Sequence, residues 1–246
     1  MKIIKILLYI IAVFAFLLLG AYFFLNEKLP IGENPAKADE MAKNMQTALN
    51  KTAWDSTNVI TWGYKGGHQY VWDKKNEMVQ ITWNENKVLL NLKEWNKGKA
   101  YKQEKEITDS EIDVLRGQAW KFFCNDSFWL IAPFKVFDEG TTRKIVKTAD
   151  SEALLVTYAS GGVTPGDSYL WFLDKTGVPL KYKLWVKIIP IGGVEATWEK
   201  WTKTKTGVSM ATQHKLGPVT IVINDLKTGY ALSDIEAKEN LFEAIK

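Results

Sequence analysis

The residues able to do chemistry in this chain are few. Gly166-Asp167-Ser168-Tyr169-Leu170 matches the G-D-S-x-L string of one group of serine esterases. A nucleophilic serine needs a histidine base, itself oriented by a third group. In those esterases the string lies near the start of the domain and a D-x-x-H pair comes late. Here it lies in the second half, and Lys65 and Ala211 stand three residues before His68 and His214. The string therefore reads as a turn and a strand, with Asp167 capping the turn. Asp126, Asp138 and Glu139 are candidates for an acid and base pair, but carboxylates near turns more often cap or face water. The chain holds two histidines and one cysteine, Cys124, which argues against a nitrogen and sulfur metal site and excludes an internal disulfide. Gly161-Gly162 and Gly192-Gly193 lack the helix start of a phosphate cradle and read as turns. No catalytic residue, metal or cofactor is assigned.

Aromatic residues are the richer signal. Eleven tryptophans are spread from Trp54 to Trp201. An indole combines a large apolar body with one N–H that needs a partner. Such a set fills a wide core, or lines a cavity or an interface. Trp62, Tyr64, His68, Tyr70, Trp72, Trp83, Tyr182, Leu184 and Trp198 are the candidate ligand-binding residues, with His68 as a polar contact at the mouth of an apolar site.

The elements that must position them follow from periodicity. Asn34-Pro35 reads as an N-cap and first helical residue, and Ala38, Met41, Ala42, Met45, Ala48 and Leu49 follow at helical spacing. Alternation then marks strands at Ile60–Tyr64, His68–Trp72, Val79–Trp83 and Val88–Leu92, joined by short polar turns. Thr108 and Glu111 have capping-box spacing before Ile112, Leu115, Ala119, Phe122 and Phe123. Pro133 argues against helix through the dense segment Asp126–Phe134. Strands resume at Leu154–Tyr158 and Tyr169–Leu173. The clearest alternation runs Leu180, Tyr182, Leu184, Val186 and Ile188. Val194–Trp198, Val208–Thr212 and Val219–Ile223 follow, and Ser233–Glu236 starts a short last helix. The expected class is mainly β with accessory helices: a curved antiparallel sheet or incomplete barrel of about 10–11 strands, with helices covering the concave face.

Residues 6–25 form twenty consecutive uncharged residues behind Lys2 and Lys5. A helix of that length rises about 30 Å, a bilayer's hydrocarbon thickness. The basic start places the N-terminus in the cytoplasm. The division is then an anchor or signal-anchor over 1–25, a linker over 26–34 and one extracytoplasmic β-rich domain over 35–246. The net charge of +4 is modest and the charges are mixed, so no nucleic-acid partner is expected.

The order of anchor, amphipathic helix, four-strand meander, helix and long antiparallel run resembles the periplasmic lipoprotein carriers of the LolA/LolB superfamily. The likeness spans roughly residues 35–230 and lies in element order and aromatic content. It implies a half-barrel whose helices lid an apolar cavity that accepts acyl chains. This chain differs in lacking an acylated cysteine and in carrying an anchor. The expected function is a membrane-anchored, inner-membrane protein facing the periplasm or extracytoplasmic side, binding a lipid, acylated or other hydrophobic ligand non-covalently. The alternatives are a structural or interaction module of the envelope and, behind it, a hydrolase.

Overall fold

The computed structural model describes residues 26–149 and 151–246, with nine further positions between 5 and 25. The expected anchor over 6–25 lies largely outside the described residues. Among the described residues no helix is long and apolar enough to cross a membrane.

Among the described residues, three α-helices and fourteen strands build the domain. The helices are α1 (Pro35–Ala48), α2 (Lys51–Ser56) and α3 (Glu111–Ile131). The strands are β1 (Val59–Tyr64), β2 (His68–Asp73), β3 (Met78–Trp83), β4 (Asn86–Asn91), β5 (Lys99–Lys102), β6 (Lys105–Ile107) and β7 (Thr141–Lys147). They continue with β8 (Glu152–Tyr158), β9 (Ser168–Leu173), β10 (Pro179–Trp185), β11 (Val194–Thr197), β12 (Glu199–Lys203), β13 (Ser209–Leu216) and β14 (Val219–Gly229). They form one open, curved antiparallel sheet in the order β6-β5-β4-β3-β2-β1-β14-β13-β11-β10-β9-β8-β7, with β12 pairing β13.

The topology is two meanders joined at the middle. The first runs outward from β1 to the edge strand β6. Helix α3 then carries the chain across to the opposite edge, β7. The second meander runs back to β14, whose first half pairs β13 and whose second half pairs β1. Strands β11 and β12 are successive stretches of chain separated by Trp198, whose ring is buried in the core.

The sheet exceeds the expected 10–11 strands. β5, β6, β7 and β12 are short or charged, so they carry little alternation. Helix α3 is also longer than expected. It runs past Phe123 to Ile131, and Pro133 falls in the following 3-10 turn, Ala132–Phe134. Proline bars helix only where its ring or missing N–H intrudes, and here it ends the helix instead. The N-cap is Ser110, not Thr108, and the Asp109 carboxylate accepts from the Glu111 amide at 2.8 Å. At α1 the reading holds: Asn34 caps it and accepts from the Lys37 amide.

The alternation expected over 180–188 breaks at both ends. Leu180 and Ile188 are exposed. The β9–β10 register shifts between Pro179 and Lys181, which turns Leu180 away from the core, and β10 ends at Trp185. A one-residue irregularity moves a side chain to the other face.

The concave face carries the main core. Met45 and Leu49, from α1 and the residue that follows it, and Leu115, Ala119, Phe123 and Leu130 of α3 pack on alternate residues of the strands. Helix α1 lies on the β7–β8 side, and α3 touches β4, β5 and β13. Buried Gln46 donates to the carbonyls of Pro133 and Phe134, tying α1 to the end of α3. At the other end Arg116 donates to the Gly98 carbonyl at 2.6 Å. The C-terminal residues Leu232, Ile235 and Phe242 cover Val59, Met78 and Leu89 on the outer face. Residues 26–34 run along the outside: the Trp185 indole donates to the Glu27 carbonyl at 2.8 Å, and Glu33 bridges Ile145.

Gly98 sits where a side chain has no room. A Cβ there would lie 2.2 Å from the Leu89 carbonyl oxygen, a backbone atom. Gly98→Ala is expected to cost about 1–3 kcal/mol, the range for forced overpacking, read as a lowered urea midpoint with an unchanged m-value.

Candidate functional site

One polar cluster interrupts the aromatic interior. Asp126 of α3 is 2% exposed in its side chain. Its Oδ2 accepts from the Tyr70 hydroxyl at 2.6 Å and meets His68 Nδ1 at 2.6 Å, and its Oδ1 accepts from the Asn125 amide at 2.8 Å. His68 opens β2 and Tyr70 lies two residues on, so both project to the concave face. Asp126 lies one turn beyond Phe122, on the same helix face. Burial raises the Asp126 pKa from its ordinary value, while hydrogen bonds from His68, Tyr70 and Asn125 hold that rise back. Burial, with the nearby Asp126 charge, raises the Tyr70 and Tyr64 hydroxyls well above their ordinary value.

The partners settle which nitrogen of the neutral His68 ring carries the proton. A carboxylate only accepts, so Nδ1 carries the proton and donates to Asp126. Nε2 makes no hydrogen bond among the described residues and is not enclosed. The ring is clamped from one side by Phe122, with centroids 4.0 Å apart. This is an imidazole held by a buried carboxylate, with its second nitrogen turned outward.

The candidate residues named from the sequence all lie in or against the concave core. Trp62, Tyr70, Trp72, Trp83, Tyr182, Leu184 and Trp198 are buried; Tyr64 and His68 are half-buried at the rim. They fall into two groups. Trp62 stacks on Tyr70 at 4.5 Å and meets Trp72 edge-on. Tyr182 and Trp198 pack with Trp171, Trp129 and His214. The packing leaves polar atoms unpaired: the indole N–H groups of Trp62, Trp72, Trp171 and Trp198, the Tyr158 hydroxyl and His214 Nε2 are buried without a partner among the described residues. A donor stranded this way costs about 1–3 kcal/mol.

Asp126 is the residue that sequence reasoning underweighted. By its sequence neighbourhood it groups with Asp138 and Glu139 as a turn carboxylate. Asp138 does pair locally, with Lys135. Asp126 is buried because α3 continues through it. The signal was a lone acid at helical spacing from Phe122 and Phe123. The esterase-like string behaves as a turn and a strand: Thr164 donates to Asp167 at 2.5 Å, and Ser168 Oγ shares a 2.8 Å hydrogen bond with Thr157. Burial pushes the Cys124 thiol up to about 12. Among the described residues, no three His, Cys, Asp or Glu side chains group as a metal site. A groove of about 490 Å³ opens on the outer face, between Gln80, Lys87, Leu89 and Tyr101 and the C-terminal Asn240 and Leu241. It shares no residue with the aromatic interior.

No protein-family model matches the chain, and no curated protein matches it in sequence.

His214 behaves differently from His68. It is fully buried, its Nδ1 donates to the Thr197 carbonyl at 3.0 Å, and burial lowers its pKa from 6.5 to about 4. The unfolded chain therefore binds more protons than the native one between about pH 6.5 and about 4. The stability is complete above that window and is lost as pH falls through it, by up to about 3 kcal/mol. Urea unfolding at pH 7.5 and 4.5 is expected to show this loss in the wild type and a clearly flatter pH dependence in His214→Leu, which is less stable throughout.

Proposed function

We propose that this protein is a membrane-anchored, extracytoplasmic module that binds a lipid, acylated or other hydrophobic ligand non-covalently on the concave face of its sheet. Residues 6–25 are the anchor in this reading, and the domain faces the periplasm or the corresponding outer compartment. The observation that carries it is the interior itself. The indoles of Trp62, Trp72, Trp171 and Trp198 lie in one apolar core with all four N–H groups unpaired. An acylated ligand brings both an apolar chain and ester or carboxyl oxygens, the acceptors those donors lack. Each buried CH₂ contributes about 0.8 kcal/mol, so affinity needs no catalytic group.

The open sheet supports the same reading. In this reading α3, which carries the chain from the β6 edge to the β7 edge, is the lid over that face. The resemblance to the LolA/LolB-like carriers in element order points the same way, with the anchor making this chain a stationary receiver. The other reading, a structural or interaction module of the envelope, draws on the tightness of the core, where Trp62 and Trp171 are 0% exposed.

Native mass spectrometry of the full-length protein, released from its own membrane in mild detergent, separates the two. A stoichiometric adduct of phospholipid or fatty-acid mass, recovered by organic extraction, is the expected result. A clean apo mass that persists after incubation with envelope lipids would exclude ligand binding and favour the packed module.

A further inference from the structure

Resting on the ligand reading above, we infer that His68 Nε2 is the head-group site, and that it takes a hydrogen-bond donor, the hydroxyl or amide of an uncharged acyl lipid, in preference to a carboxylate or phosphate. The inference stands on the placement of one ring. His68 is half-buried at the rim of the aromatic interior, its side chain 16% exposed. Nδ1 is committed to Asp126. The ring is fixed by the stack on Phe122, and Phe122 in turn meets Trp83 edge-on at 5.5 Å. In the neutral ring the outward nitrogen is thus a pre-oriented lone pair, and a ligand that meets it loses little entropy in doing so.

The position suits a ligand with two ends. From Tyr70, which shares the Asp126 oxygen with His68, an unbroken run of rings passes through the interior by way of Trp62 and Trp72 to Trp54 and Phe134. An acyl chain lying along that run would leave its polar end at the His68 rim. The second histidine has no such role: His214 is enclosed on all sides, among Trp129 and Trp198.

Charge decides the class of head group. Behind the imidazole lies a buried carboxylate that has already accepted three hydrogen bonds. A ligand anion at Nε2 would place a second negative charge on the other side of the same ring, in a site of low polarisability, where like charges disfavour one another. A hydroxyl or amide N–H meets the lone pair with no such cost. A phosphate or carboxylate would instead be served by an exposed guanidinium or ammonium fork.

The test uses the full-length protein in nanodiscs at pH 8, where a fatty acid is ionised. Two probes share one brominated acyl chain, a monoacylglycerol and the free fatty acid, and tryptophan quenching reports their entry. The monoacylglycerol is expected to bind about tenfold more tightly than the fatty acid. His68→Phe keeps the stack on Phe122 and removes the lone pair, so it should erase that preference by weakening only the monoacylglycerol. His68→Gln serves as the second variant, and the urea midpoint of each confirms that it folds. Quenching by both probes with equal affinity, tighter binding of the fatty acid, or a preference unchanged in both variants would overturn the head-group assignment alone. Absence of quenching by either probe would overturn the ligand reading and this inference with it.

Discussion

A single antiparallel sheet of fourteen strands has one long apolar face that must be covered from within the same chain. Everything else in the domain answers to that demand. The sheet curves, and α1 and α3 fill the hollow. Curvature makes the concave face narrower than the sum of its strands, so side chains from distant strands meet. That is why Trp62 and Trp171, which belong to different meanders, share one core. Helix α3 lies over the strands with one face turned to them, and Leu115, Ala119, Phe123 and Leu130 of that face are all buried. It is held at its two ends by polar contacts, Arg116 to the Gly98 carbonyl near the start and Gln46 to the carbonyls just beyond Ile131.

The polar accounting inside this core is uneven, and the unevenness is informative. Asp126 is the most expensive group to bury, and it is the best satisfied, with three hydrogen bonds. Four indoles in the same interior have none. A carboxylate cannot be left unpaired at that depth, because its charge loses far more solvation than an amide or indole N–H does. His68 and Tyr70 are therefore placed by the needs of Asp126, and the outward nitrogen of His68 is a consequence of that placement. His214 shows the opposite solution. Full enclosure keeps it neutral, against the Thr197 carbonyl contact, which favours the charged form.

The two edges of the sheet are blunted by different means. β6 is three residues long and carries Lys105 and Glu106. β7 is bridged at Ile145 by Glu33, so the stretch over 26–34 closes part of that edge. Short charged strands and covering segments both deny an edge to further pairing. The outer face is covered locally by the C-terminal residues Leu232 to Phe242 over β1, β3 and β4.

Much of this was legible in the sequence because it is local. Asn34-Pro35 specifies a helix start through its own side chain and ring. His68, Tyr70 and Trp72 share a face because a strand repeats every two residues. Val79, Ile81 and Trp83 follow the same rule, and the concave set was largely named that way. The rest depends on partners that periodicity cannot see. β14 pairs with β1 across most of the chain, and nothing within Val219–Gly229 says so. Leu180 faces outward because its neighbour β9 shifts register. Helix α3 continues past Phe123 because the hollow beneath it is long enough to bury Leu130 and Ile131. Asp126 and His68 are 58 residues apart, and only that continuation brings them together. The sequence by itself determined most of the residues that face the core, since each element's own repeat sets its face wherever no register shift or strand end intervenes. Tertiary structure decided which of them meet, since that is set by the register, curvature and helix length that fill one concave face.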